Sequence, residues 1–292
     1  MVKIDTSTEV IGLIGDPVEG SLSPRLQNWA IDRLDLDYRY FAFPVKKGTV
    51  EEAIVGANSL GIKGLNVTAP HKKVAAKKMD ELSGAAKSLG AVNTITFTDE
   101  GKLKGYNTDW KGFVNSLKLT GFEPRGKRCL VFGAGGAAAA VVFGLIREAP
   151  SRIVIVNRTE AKAAKLAREM EGLSPGVDLE VRPLSGTDIG KKIERSDLVV
   201  NATSVGTGST EAETIWKTDS NFNPDQLVYD LIYNPDPTEF LKLARNAGSK
   251  TVSGLDMLIL QGLESLKVWT EEEFNPGPMV DELRDHLRQQ VG

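Results

Sequence analysis

At 292 residues the chain has room for about two domains, and its 36 Lys and Arg against 39 Asp and Glu leave a net charge of −3 with both signs interspersed. No basic field points to nucleic acid, and no apolar run approaches the roughly 20 residues of a membrane span. One cysteine (Cys129) and two distant histidines (His71 and His286) exclude a disulfide and leave no soft-metal cluster. With an amino terminus, MVKIDTSTEV, that lacks a signal-peptide core, these features describe a soluble cytoplasmic protein.

Residues 10–14 are a short apolar run that enters a loop at Gly15-Asp16-Pro17. The loop carries Ser21-Leu22-Ser23-Pro24, where Ser23 before Pro24 reads as the N-cap of a helix running to about residue 34. Two hydroxyls beside a helix N-terminus also suit a carboxylate ligand. The run 38–44 alternates as a strand, 49–60 reads as a helix and 64–67 as a third strand. Next comes Asn66-Val67-Thr68-Ala69-Pro70-His71-Lys72, with Pro70 marking the first turn of a helix to residue 79. Lys72 then sits near the positive end of a helix dipole, which costs stability. Its lysine-rich neighbourhood (Lys73, Lys77, Lys78) equally fits a solvated helix face.

Gly90-Ala91-Val92-Asn93-Thr94 opens a strand to residue 97, 99–101 is a hairpin turn, and 102–106 returns. Asn107-Thr108-Asp109 caps a helix over 110–119. An acid there is favoured by the dipole alone.

Residues 127–159 hold the densest pattern. The apolar run 129–132 meets Gly133-Ala134-Gly135-Gly136-Ala137, a proline-free helical stretch follows to 147, and 152–156 is a second β-branched run. Strand, tight turn, helix and strand in about 30 residues make a βαβ unit. Gly133 permits the sharp turn, Gly135 lets backbone approach a pyrophosphate, and Ala138 allows close helix–strand packing. This is a dinucleotide-binding pattern, with the phosphates on the free N–H groups of the helix.

The second strand ends in Asn157-Arg158-Thr159, with Lys162 one turn into the next helix. No Asp or Glu stands where NAD enzymes usually hold the ribose hydroxyl. Arg158 offers a planar fork for a 2′-phosphate, so the cofactor is read as NADP, while Asn157 and Thr159 can also cap the helix 160–171. Further on, 197–201 and 227–231 read as buried parallel strands. Asn201-Ala202-Thr203-Ser204 leaves the carboxyl edge, 209–220 is a polar, flexible loop, 251–252 is a last short strand, 254–269 is a long helix and 271–292 holds another.

The motifs named above, with Tyr233-Asn234-Pro235 and Gly254-Leu255-x-Met257-Leu258-x-x-Gln261, occur together and in order over nearly the whole chain. In this the sequence resembles the shikimate dehydrogenase family. The resemblance implies an α/β fold of two domains, a substrate domain (1–108 plus 254–292) and a Rossmann-type NADP domain (109–253). Carboxyl-terminal helices would pack back on the first domain, and the active site would lie in the cleft. It implies reversible, NADPH-dependent reduction of the small molecule 3-dehydroshikimate in chorismate and aromatic amino acid biosynthesis, by a monomer or homodimer.

By the same resemblance Lys72 and Asp109 form the catalytic pair, Ser21 and Ser23 hold the substrate carboxylate, and Thr68, Asn93, Tyr233 and Gln261 contact substrate. Gly133, Ala134, Gly135, Gly136, Ala137, Asn157, Arg158, Thr159 and Lys162 meet the cofactor, with Leu231, Gly254 and Met257 by the nicotinamide. Gly20, Asp256 and Thr207 depart from residues common in relatives, and bear on substrate placement rather than on the acid–base pair. Three rivals are weighed. A quinate or dual quinate/shikimate enzyme, often NAD-using, sits poorly with Arg158. A folate-type dehydrogenase lacks the paired serine and Lys72 motifs. A non-catalytic nucleotide-binding regulator has no need of both Lys72 and Asp109.

Overall fold

The β-branched and apolar runs become strands, and the stretches with helical spacing become helices, in a computed structural model that describes residues 4–98 and 100–289. Residues 1–3, the first position of the 99–101 turn and the end of the last expected helix lie outside that range. The chain divides into two units, Met1–Gly112 with Leu258–Gly292, and Phe113–Met257. In order the first elements are β1 (Glu9–Gly15), α1 (Ser23–Arg33), β2 (Tyr38–Pro44), α2 (Val50–Ser59), β3 (Gly64–Val67), α3 (Lys72–Ala76), β4 (Glu81–Leu82) and α4 (Gly84–Leu89). They continue with β5 (Thr94–Phe97), β6 (Leu103–Tyr106) and α5 (Asp109–Leu119), the helix in which the unit boundary falls.

The second unit holds β7 (Arg128–Phe132), α6 (Gly136–Arg147), β8 (Arg152–Asn157), α7 (Glu160–Glu171), β9 (Asp178–Pro183) and α8 (Ile189–Glu194). It ends with β10 (Leu198–Asn201), β11 (Leu227–Asp230), α9 (Glu239–Asn246) and β12 (Lys250–Val252). Helix α10 (Leu255–Thr270) leads back into the first unit, followed by α11 (Gly277–Arg288).

Sheet one has the order β2-β1-β3-β5-β6-β4. β2, β1 and β3 run parallel, and β5 turns antiparallel to both β3 and β6. The carboxyl ends of β1, β3 and β6 and the start of β5 therefore share one edge, and the four loops with the expected substrate-site motifs leave from it. Below, Ile14, Val67, Leu65, Ile95 and Ile54 form a continuous apolar core. α11 lies on α1, where Arg33 Nε meets Glu282 at 3.4 Å and Trp29 faces His286 at 6.3 Å between ring centres.

Sheet two is wholly parallel, in the order β12-β11-β10-β7-β8-β9. Counted from β7 this is 3-2-1-4-5-6, the doubly wound order with its ligand edge at the carboxyl ends. Cys129 is buried in β7, and the apolar surroundings raise its thiol pKa.

Several local expectations change. Leu22, in helical conformation, precedes α1, so Ser23 is its first residue and caps nothing; instead the Ser23 N–H donates to Ser21 Oγ at 3.3 Å. Pro70 lies ahead of α3, which has five residues instead of extending to 79. Here the His71 N–H closes a turn on the Thr68 carbonyl before the helix begins. The 209–220 loop is not simply a solvated strap: a 3₁₀ turn, Gly208–Thr210, overlaps its start, and Ile215 and Trp216 pack on the core, with Trp216 stacked on Phe132.

Candidate active site

In the first unit, Asp109 is the first residue of α5, where the dipole favours a carboxylate. Its Oδ2 accepts from Lys72 Nζ at 2.6 Å, and its Oδ1 accepts from Asn93 Nδ2 at 2.8 Å. Asp109 is buried, and Lys72 is half-buried, its side chain 26% exposed. The solvated-face reading of the lysine-rich helix holds for Lys73, Lys77 and Lys78, which are exposed, and fails for Lys72.

Asn93 is held on every side. Its Nδ2 also donates to Thr108 Oγ1 at 2.9 Å and Gln261 Oε1 at 3.3 Å, while its Oδ1 accepts from the Thr108 N–H and from Thr94 Oγ1. Behind Asn93 lies a polar layer that the sequence pattern did not single out. Ser265 Oγ receives Asn66 Nδ2 at 3.1 Å, lies 2.8 Å from Thr94 Oγ1 and 3.1 Å from Thr108 Oγ1, and donates to the Gln261 carbonyl. Tyr40 closes the chain with its hydroxyl on Asn66 Oδ1 at 2.7 Å. The one sequence signal for Ser265 is its position one helical turn after Gln261, a polar residue on an otherwise apolar face.

The other expected substrate residues of this unit stand on the same sheet edge. Ser21 and Ser23 follow β1 and are half-buried. Thr68 follows β3, its N–H on the Ile14 carbonyl at 3.0 Å. A Cβ on Gly15 would overlap the Thr68 methyl, so the two loops lie in direct contact. Tyr233 belongs to the second unit, where burial raises its phenol pKa.

At the carboxyl edge of sheet two, Gly133 has φ +117°, and a Cβ there would lie 2.8 Å from the Ala202 carbonyl oxygen. Only glycine fits both the backbone and the space. Gly135 precedes α6 in extended conformation with no side-chain cap, and nothing stands within 4 Å of a Cβ added at Gly135 or Gly136. The first N–H groups of α6, at the exposed Gly136 and Ala137, thus remain open to a pyrophosphate, with Ala134 preceding Gly135 in the turn. Ala138 is fully buried against the sheet.

Arg158, Thr159 and Lys162 follow β8 and are exposed. Neither Arg158 nor Lys162 has an ion pair among the described residues. Asn157 Nδ2 donates to the Thr159 carbonyl at 2.9 Å, shaping the turn, and Thr159 precedes α7 without capping it. Leu231 and Gly254 touch backbone to backbone: a Cβ on Gly254 would overlap the Leu231 carbonyl. Met257 is buried in the first turn of α10. Among the described residues no group of three or more His, Cys, Asp or Glu could hold a metal, and no helix is long and apolar enough to cross a membrane.

Comparison with known proteins agrees over both units. Residues 13–95 match the shikimate dehydrogenase substrate binding domain, and residues 117–247 match the shikimate / quinate 5-dehydrogenase domain. The chain is 44% identical to a shikimate dehydrogenase (NADP(+)) of Methanopyrus kandleri, covering 98% of this chain and 99% of that one. It is also similar to shikimate 5-dehydrogenase from Thermus thermophilus, solved with NADP(H) and shikimate, at 32% identity and TM-score 0.83 over 95% and 99% of the two chains. Quinate dehydrogenase from Corynebacterium glutamicum, solved with NAD, is more distant at 26% identity, with TM-score 0.87 over 97% and 99%. With both domains matched and 44% identity over nearly its full length, the chain belongs to the shikimate dehydrogenase family.

Proposed function

We propose that this oxidoreductase catalyses the reversible, NADP-dependent interconversion of 3-dehydroshikimate and shikimate, in the cytoplasm, as a monomer or homodimer. The observation that carries the reading is the 2.6 Å pair of Lys72 and Asp109, set at a sheet edge and braced by Asn93. NADPH, when bound, supplies the hydride. The uncapped turn at Gly135 would receive its pyrophosphate, and Arg158 with Lys162 its 2′-phosphate, both cations being exposed.

As the substrate carbonyl gains a hydride, its oxygen becomes an alkoxide that needs a proton. Lys72 Nζ is the donor, and Asp109 fixes its direction and stabilises its ammonium form. In the oxidative direction the same amine takes the proton back. Ser21 and Ser23 hold the substrate carboxylate, with Thr68, Asn93, Gln261 and Tyr233 placing the ring. The substrate domain is taken as 1–108 plus 254–292 and the cofactor domain as 109–253, boundaries four residues from those of the two compact units.

Quinate is the second substrate to test, because the matched domain covers both activities and a quinate enzyme shares the fold. The test is initial-rate reduction of NADP⁺ and of NAD⁺ with shikimate, with quinate and with neither. Turnover with NADP⁺ and shikimate far above the other pairs supports the assignment. Preference for quinate with NAD⁺, or no turnover at all, overturns it.

A further inference from the structure

The acid–base chemistry makes no use of Asp230, a carboxylate with 0% exposure at the end of β11. No cation pairs with it among the described residues. Its Oδ1 accepts from Asn201 Nδ2 at 3.0 Å and from the Ile232 N–H at 3.1 Å, and its Oδ2 accepts from Thr238 Oγ1 at 2.7 Å. Burying a charge without a counter-ion is costly, and three donors aimed at one carboxylate are the compensation that allows it.

Each donor belongs to a different piece of the ligand edge. Asn201 ends β10, and its Oδ1 in turn accepts from both the N–H and the hydroxyl of Thr203. That fixes the 201–203 turn, whose Ala202 carbonyl is the group pressed against Gly133. Ile232 N–H is held by Asp230, and the Ile232 carbonyl accepts from the Gly254 N–H at 3.0 Å. Leu231, between them, donates its N–H to the Asn201 carbonyl at 3.0 Å and lies against Gly254 with no room for a methyl group. Thr238 caps α9, accepting from the Leu241 N–H.

We propose that Asp230 is a positioning residue for the nicotinamide end of the cofactor site: one buried carboxylate pins the 201–203 turn, Leu231–Ile232 and, through Ile232, Gly254. Gly133 closes on the Ala202 carbonyl and Gly254 on the Leu231 backbone, two close approaches with little room to absorb an error. A shift of any one alters the wall the nicotinamide meets. The adenosine end, at Arg158, is held by β8 and α7 and does not depend on this hub.

The inference rests on the NADP reading, and the experiment separates the two. Dissociation constants are measured by titration for NADPH and for adenosine 2′,5′-bisphosphate, which lacks the nicotinamide, with melting temperature recorded for each variant. Asp230→Ala should raise the NADPH Kd roughly tenfold while leaving adenosine 2′,5′-bisphosphate unchanged. Asp230→Asn keeps an oxygen for Asn201 and Ile232 and should restore the parent affinity. Should the alanine variant fail to fold, Asn201→Ala breaks the same link from the other side and should show the same selective loss.

An NADPH Kd within about twofold of the parent in a folded alanine variant, whatever its melting temperature, overturns the proposal. So does equal loss of both ligands, or an Asp230→Asn variant as impaired as alanine. Arg158→Ala is the reference: it should weaken both ligands. If it weakens neither, the NADP reading fails and the role of Asp230 falls with it.

Discussion

In the first unit the polar groups around Lys72 are paired before any ligand arrives, whereas in the second the groups that would meet a cofactor are left open. Asn93 spends both its amide hydrogens and its oxygen inside the protein, on Thr94, Thr108, Asp109 and Gln261. Arg158 and Lys162 stand exposed, and the start of α6 has no cap. The difference matches what the proposed role of each site requires. A proton donor has to be aimed, and aiming takes fixed neighbours in a shielded environment. A phosphate needs N–H groups and cations it can reach, which burial would remove.

The contrast breaks most visibly at Lys72. Lys72→Ala should lower kcat by roughly 10²–10⁴, with NADP⁺ binding intact, while Lys73→Ala stays near the parent value. Asp109→Asn should do comparable damage, and the double variant little more than either alone, since the pair acts as a unit. Equal kcat for the two neighbouring lysine variants would return Lys72 to the solvated face.

Asp230 gives the next largest effect, on stability. Desolvation is the main cause that moves its pKa from 3.8 up to about 6, opposed by its three donors, with Asp236 adding repulsion. The folded state therefore binds this proton more tightly than the unfolded chain does. Its stabilising contribution is complete below about pH 4 and is lost as pH rises through about 6, a change of about 3 kcal/mol. Chemical denaturation of the parent and of Asp230→Asn across pH 4 to 8 should show the parent losing ground over that window. Parallel curves would refute it.

Arg158→Ala should raise the KM for NADP⁺ by one to two decades, about 1.5–3 kcal/mol, with NAD⁺ little changed. Equal loss with both cofactors would mean that Arg158 does not read the 2′-phosphate. Ser21→Ala sits at the bottom of the scale, weakening shikimate binding by about 1 kcal/mol without moving the melting temperature. Ser23→Ala should now behave likewise, because its hydroxyl caps no helix. A melting temperature lowered only by the Ser23 change would revive the cap.

The same contrast explains what could be read in advance. The βαβ unit at 127–159 is local: its glycines, β-branched runs and helix-forming stretch lie within reach of one another, and each residue type answers a nearby geometric demand. The pattern of motifs carried the two-domain α/β fold, and helix 160–171 emerged with its ends in place. The polar layer behind Asn93 was not legible. Thr94 and Ser265 are 171 positions apart, and nothing in either local pattern announces the other. Ser23 does not cap because a cap depends on where the first turn closes, and Leu22 closes it one residue early. No expected element corresponds to β4, α4, β9, α8 or α9: β4, α4 and α8 have too few residues to show a period, and β9, an edge strand, carries no fully buried residue.

The first unit is made from both ends of the chain, and the second from one continuous stretch. On the ribosome, residues 113–257 are therefore all available before the first unit can be finished. Until α10 emerges, Asn66, Thr94 and Thr108 lack Ser265, and Gly64 lacks the indole of Trp269, whose Nε1 donates to the Ile95 carbonyl at 2.9 Å. The first unit is thus the last to mature, and a chain stopped near residue 257 would carry an unfinished polar core beside Lys72 and Asp109.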